Sequence, residues 1–235
     1  MFTKSAEFYD AIYGWKDYQA ESSKVHELIQ THKQCDGNTL LDIGCGTGMH
    51  ITHLCEDYTA EGLDFDENIM AVARERFPDL DFHYGNMIHF DLKREFDVIT
   101  SLFSAIGYVK TVDALNQTAA NFAKHLKPGG VAIIEPWLKP EDVKPQPIHA
   151  LFVDEPELKI SRINQTAVKD GLMSFTFHYL IGTPDGIDYF TELHELGLFT
   201  HEQYMTAFTN ARLDVTYDKD GLMGRGLYIG VRPSA

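Results

Sequence analysis

Positive charge is scarce in this chain. Against 35 Asp and Glu stand only 20 Lys and Arg, a formal net charge of −15 at pH 7. A surface of that sign repels phosphodiester backbones, which excludes nucleic acid as a partner. A ligand that carries phosphate must be met by a few well-placed cations. Cysteine is scarce too. Cys35, Cys45 and Cys55 form no CxxC and are odd in number, so neither a disulfide framework nor a structural metal site is expected. A reduced, cytoplasmic protein fits that pattern. No apolar run approaches the ~18–20 residues of a membrane span. The start, MFTKSAEFYD, lacks the apolar stretch of a signal peptide. Repeats and low-complexity stretches are absent.

What is present is alternation of strand and helix patterns. Residues 5–34 read as two short helices parted near Gly14, with Val25, Leu28, Ile29 and His32 on one face. TLLDIG (39–44), TAEGLD (59–64), DFHYG (81–85), FDVITSL (96–102) and GVAIIEP (130–136) read as strands. Helices are expected between them, one capped by Asp66 and stopped at Pro78, another from about Thr111 to His125. This order implies an α/β fold, a doubly wound parallel sheet with helices on both faces. Residues 139–157 are rich in proline and charge. Three successive strand patterns follow, with turns at Lys169-Asp170-Gly171 and Pro184-Asp185-Gly186. They predict an antiparallel β insertion. Thr200 and Gln203 form a capping box for the last helix, and two strands at the sheet edge end the chain. The organisation expected is an N-terminal helical lid (1–37), a cofactor-binding core (38–137), the insertion (138–199) and a return to the core sheet (200–235).

The loop LLDIGCGTG carries Gly44, Gly46 and Gly48 at alternate positions. A dinucleotide fingerprint needs G-x-G-x-x-G, and this loop misses it by one residue. Asp42 lies two residues before the first glycine, an awkward place beside a pyrophosphate and a suitable one beside an ammonium group. S-adenosylmethionine has no phosphate, and its amino-acid end carries an ammonium and a carboxylate. Asp42 can meet the first; the loop N–H groups and the helix N-terminus are expected to meet the second. Asp64 ends the second strand and can accept both ribose hydroxyls.

The motifs LDIGCGTG, GLD and LKPGG, with the strand pair at the end, resemble class I S-adenosylmethionine-dependent methyltransferases. The fold implied is the seven-stranded Rossmann-like sheet of that class, with the insertion before the last helix. The cofactor implied is S-adenosyl-L-methionine, leaving as S-adenosyl-L-homocysteine. YDAIYGWKDY, SLFSAIGYVKT, IEPWLKP, HELGLF and GRGLYIGV are similar to bacterial N,N-dimethyltransferases of dTDP-linked amino deoxy sugars, the desosamine and mycaminose type. The resemblance implies cofactor contacts from Tyr18, Phe65, Asn86, Met87 and Ser101 besides the glycines, Asp42 and Asp64. Asn86 would accept from the adenine amino group through its amide oxygen.

For the acceptor, the resemblance implies Phe103, Ser104, Trp137, His194 and Arg225, the last on the sugar nucleotide's diphosphate. Guanidinium suits bidentate phosphate binding in an acidic protein. Relatives also carry a tyrosine near the chain start, where this chain has Phe2. The Asn/Asp-Pro-Pro-Tyr motif of enzymes that methylate planar nitrogens is missing from SLFSAIGY. An sp³ amine or a hydroxyl is therefore the expected nucleophile. Tyr108 and His178 are the expected catalytic groups, orienting the amine lone pair, and no metal is required. A small-molecule O- or N-methyltransferase with a non-sugar acceptor is the alternative. A homodimer through the insertion is also expected.

Overall fold

The computed structural model describes residues 4–144 and 148–234; Phe2 lies outside them. After a 3-10 turn at Lys4–Phe8 come α1 (Tyr9–Ile12) and α2 (Tyr18–His32), the latter capped by Asp17, whose carboxylate accepts from the Ala20 N–H. The core elements are β1 (Thr39–Ile43), α3 (Met49–Leu54), β2 (Thr59–Asp64), α4 (Glu67–Arg76) and β3 (Phe82–Tyr84). β4 (Phe96–Ser101), a 3-10 turn at Ala105–Val109, α5 (Val112–His125) and β5 (Leu126–Ile134) follow. The insertion holds β6 (Ile148–Asp154), β7 (Lys159–Lys169), β8 (Leu172–Thr183) and β9 (Gly186–Gly197). The chain closes with α6 (His201–Asn210), β10 (Asp214–Asp218) and β11 (Leu227–Val231).

The main sheet has seven strands in the order β10-β11-β5-β4-β1-β2-β3, parallel except for β11. Leu40, Val98, Val131 and Ile133 project to one face, where Val25 and Ile29 of α2 and Ile51 of α3 cover them. Leu41, Ile43, Ile99 and Ala132 project to the other, against Leu115 and Phe122 of α5 and Tyr204 and Phe208 of α6. Both faces are covered, which is why these strands read as continuous apolar runs. Chain order reverses between β1 and β4. The crevice beyond their C-terminal ends is where ligands bind in such sheets.

The insertion is a separate antiparallel sheet, β6-β7-β8-β9. It has one strand more than the three expected from sequence. β6 lies in the proline- and charge-rich stretch, and its residues IHALFVD are apolar on both faces, so no alternation signals it. The fifth core strand also starts earlier than expected, at Leu126; a register irregularity opposite Phe96 and Val98 takes up the KPGG residues. The Thr200–Gln203 capping box is formed as read.

Candidate active site

The glycine loop links β1 to α3, and all three glycines have left-handed backbone, φ 74°, 57° and 80°. That region costs other residues about 1–2 kcal/mol. At Gly44 a side chain is barred outright, since a Cβ there would stand 2.4 Å from the Ala105 Cβ. Four of the loop N–H groups already have acceptors within the protein. Those of Gly44 and Cys45 donate to the Leu63 carbonyl, that of Gly46 to Asp64 and that of Gly48 to the Cys45 carbonyl. α3 is a helix of six residues, too short to supply a strong dipole. Gly48 shapes the turn without lining the cavity.

Two connected hollows open here. The larger, about 440 Å³, lies between the strand ends and the insertion; that size suits a small-molecule site. The smaller is walled by Tyr18, Asp42, Thr47 and His50, and the two share Gly44, Gly46 and Phe103. Asp42 is buried and accepts from the Thr100 hydroxyl at 2.7 Å. Burial pushes its carboxyl up from its ordinary value, against the pull of His50 and Thr100. A cationic group placed beside it would relieve that cost. Tyr18 meets the His50 ring edge to face, and His50 Nε2 stands 2.8 Å from Glu21. Glu21 also pairs with Lys16, whose side chain is fully buried over the Phe103 ring.

Asp64 lines the larger hollow. Its carboxylate accepts from the N–H groups of Gly46 (3.0 Å), Phe65 (2.7 Å) and Asp66 (3.0 Å), which fixes its plane. Phe65 and Met87 line the same wall. Two expected cofactor residues, Asn86 and Ser101, are not among those lining this wall. The Asn86 amide oxygen accepts from the Ile88 N–H at 2.9 Å, so the side chain shapes its own turn and does not line the cavity. Ser101 is fully buried within β4 and does not reach the cavity, which Leu102 and Phe103 line instead.

The acceptor side is built by the insertion. Met173, Phe175, Phe177 and Tyr179 of β8 face the cavity, and Trp137 meets Phe175 edge to face. His178 must then point away, because strand side chains alternate. Its ring stacks on Tyr189 and its Nδ1 lies 2.7 Å from that hydroxyl, on the outward face. The expected catalytic role of His178 is therefore withdrawn. The aromatic run at alternate positions was the signal that marked the inward face. His194 pairs with Phe175 in register, shares its face and lines the cavity. Its Nδ1 lies 2.7 Å from the Tyr108 hydroxyl. Burial holds that phenol well above its usual range.

Phe103 and Ser104 both have positive φ, 49° and 64°. The Phe103 N–H donates to Glu135 at 2.7 Å, and the Ser104 hydroxyl donates to the Pro136 carbonyl at 2.8 Å. The other Glu135 oxygen takes Arg225 at 3.0 Å, and that guanidinium lies over Trp137 and Phe103. Sequence reasoning missed Glu135. It missed Arg162 as well, a second cavity cation, which donates to the Tyr13 hydroxyl at 3.1 Å and stacks on Phe177. Among the described residues Arg162 has no carboxylate in ion-pair range, no cluster could hold a metal, and no helix is long and apolar enough to cross a membrane.

These residues fit S-adenosylmethionine. Asp42 would face its ammonium, Asp64 its ribose, and Phe65 and Met87 its base; the sulfonium supplies an activated methyl group. A methyltransferase-domain family profile matches residues 40–130. The dTDP-3-amino-3,4,6-trideoxy-alpha-D-glucopyranose N,N-dimethyltransferase of Streptomyces venezuelae is 36% identical over 96% of this chain and 97% of its own. The crystal structure of DesVI from Streptomyces venezuelae matches with a TM-score of 0.92 and 35% identity over 100% of both chains. Bound to S-adenosylmethionine, CalS10, an amino pentose methyltransferase from Micromonospora echinaspora, matches with a TM-score of 0.85 and 31% identity over 99% of this chain and 98% of its own. The chain belongs to the S-adenosylmethionine-dependent methyltransferase family that includes the dTDP-amino-sugar N,N-dimethyltransferases.

Proposed function

We propose that this enzyme transfers methyl groups to the amine of a dTDP-linked 3-amino deoxy sugar, first to the monomethyl and then to the dimethyl product. The observation that carries this reading is the pair of guanidinium groups, Arg162 and Arg225, on the acceptor side of a cavity in a chain of charge −15. Among the described residues neither Nε has a hydrogen-bond partner. A diphosphate offers oxygens suited to the guanidinium N–H groups that line the cavity. Aromatic walls at Trp137, Phe175 and Phe177 suit the faces of a sugar and a base. Holding amine and donor in line supplies most of the catalysis, up to about 7–11 kcal/mol. The N-terminal segment contributes Tyr9 and Tyr13 and serves as the lid.

Mass spectrometry of the products, with the dTDP-amino sugar and the free amino sugar compared, tests the reading. Each charge-assisted phosphate contact is worth about 1.5–3 kcal/mol. The free sugar should therefore lose at least tenfold in kcat/KM. Equal kcat/KM would transfer support to a non-sugar small-molecule acceptor.

We also propose a homodimer through the insertion, in the cytoplasm, where the free thiols of Cys35, Cys45 and Cys55 stay reduced. The outward face of the insertion sheet exposes Ile148, Phe152, Leu180, Ile187, Tyr189 and Leu193, each at least half accessible. Contiguous apolar surface of this kind marks an interface. Sedimentation at micromolar concentration should give a dimer, and Leu193→Glu a monomer with its cofactor affinity intact. A monomeric wild type refutes the dimer.

A further inference from the structure

Behind the cavity wall runs a buried chain of polar groups that cofactor binding does not use. Tyr108 enters the cavity from the turn Ala105–Val109. Its hydroxyl meets His194 Nδ1 at 2.7 Å. His194 Nε2 lies 3.6 Å from a Glu192 carboxylate oxygen, an electrostatic contact outside hydrogen-bond range. The same carboxylate accepts from the Ser5 hydroxyl at 2.5 Å and from the Ser5 N–H at 3.3 Å. Residues 192 and 194 share a face of β9 because strand side chains alternate, and Glu192, His194 and Ser5 are all buried.

We propose that His194 and Glu192 are positioning residues of a proton relay that acts on the substrate amine through Tyr108. The proposal rests on the amine-methylating reading above. A carboxylate beside Nε2 favours the tautomer with the proton there, which leaves Nδ1 as the acceptor. The Tyr108 hydroxyl then donates to His194, and its oxygen lone pairs are directed at the cavity. An amine near neutral pH arrives largely as ammonium, and an ammonium has no lone pair with which to attack carbon. In the relay an ammonium N–H bond breaks and its proton goes to the Tyr108 oxygen. The hydroxyl's own proton passes to His194 Nδ1, and the electron pair stays on the amine nitrogen. Tyr108 is neutral before and after. The positive charge moves from the amine to an imidazolium that faces Glu192. The proton leaves to solvent before the next turnover, so both methylations draw on the same device.

Other titratable groups face this site. Tyr9 and Tyr13 come from the N-terminal segment, Asp64 and Asp66 from the end of β2, and Tyr179 and Arg162 from the insertion. None of them lies between Tyr108 and His194, which are in direct hydrogen-bond contact.

The test uses the full chain. Tyr108→Phe, His194→Gln and Glu192→Gln should each lower kcat about 100-fold or more at neutral pH, the lower end of acid–base assistance. KM and S-adenosylmethionine affinity should stay within about twofold. The losses should shrink as pH rises toward the amine's own pKa, where the acceptor arrives neutral. In the Tyr108→Phe background, His194→Gln should add nothing. Losses that multiply, or that persist at high pH, overturn the relay. Independently, two-bond ¹H–¹⁵N correlation on the wild type should show His194 protonated at Nε2, and protonation at Nδ1 overturns the relay. That spectrum needs no acceptor. It therefore decides the relay even if the wild type fails to methylate the dTDP-amino sugar, a failure that would count against the substrate reading alone.

Discussion

Asp64→Ala weakens S-adenosylmethionine binding by about 2–4 kcal/mol, through loss of two charge-assisted ribose contacts. The expectation is larger than for an exposed acid because the carboxylate is already oriented by three backbone N–H groups, those of Gly46, Phe65 and Asp66. Removing it also frees those donors and loosens the loop. Burial outweighs these hydrogen bonds and pushes the Asp64 carboxyl up to about 6. An acid held above its ordinary value binds its proton more tightly when folded than when unfolded. The ligand-free fold therefore loses stability as pH rises from about 4 through about 6, by up to about 3 kcal/mol. Cofactor affinity moves the other way, since ribose hydroxyls donate to the ionised form; it should strengthen through the same window and level off above it. Calorimetry at pH 5 and pH 7.5 reads both trends. A folded Asp64→Ala variant with wild-type affinity would remove Asp64 from the cofactor site.

The core sheet was legible because its strands are buried on both faces and its helices carry their own stop signals. Asp66 caps α4 through the Asn68 and Ile69 N–H groups, as its place in the sequence implied. The cofactor end was legible in part. Asp42, Gly44, Gly46 and Asp64 converge on one crevice, whereas Asn86 and Ser101 turn to local hydrogen bonding and packing. The acceptor end was harder to read because it depends on pairing between strands far apart in sequence. Register alone decides that His194 meets Tyr108 and that His178 meets Tyr189. A one-residue slip would exchange the two faces. Arg162 looked like any charge on a strand until its register with Tyr179 turned it inward. Glu135 directly follows the fifth strand's apolar run, and nothing local to it announces a partner ninety positions away at Arg225.

That pairing changes what an arginine deletion does. Arg225→Ala removes a ligand contact and also leaves Glu135, fully buried, with an uncompensated charge. Breaking one side of a buried pair costs about 3–5 kcal/mol of stability. Glu135 also holds the Phe103 N–H, and Phe103 and Ser104 are kept in left-handed backbone that costs about 1–3 kcal/mol each. Disturbing Glu135 therefore reaches the cavity wall. The single variant should melt well below the wild type and show a raised KM, a result that does not separate the two roles. The double variant Arg225→Met with Glu135→Gln separates them. It removes both charges and keeps an acceptor for the Phe103 N–H, so most of the lost stability should return. If Arg225 grips the diphosphate, KM for the nucleotide sugar should stay raised by roughly 10- to 150-fold, the equivalent of 1.5–3 kcal/mol. S-adenosylmethionine affinity should be kept in the double variant, which leaves Asp42, Asp64 and the acceptor for the Phe103 N–H in place; the single variant should lose some, because Phe103 lines both hollows. Arg162→Ala, which leaves no buried carboxylate behind, should raise KM with little change in melting temperature. A double variant whose KM returns to the wild-type value together with its stability would make Arg225 a structural partner of Glu135, and would leave the diphosphate to Arg162.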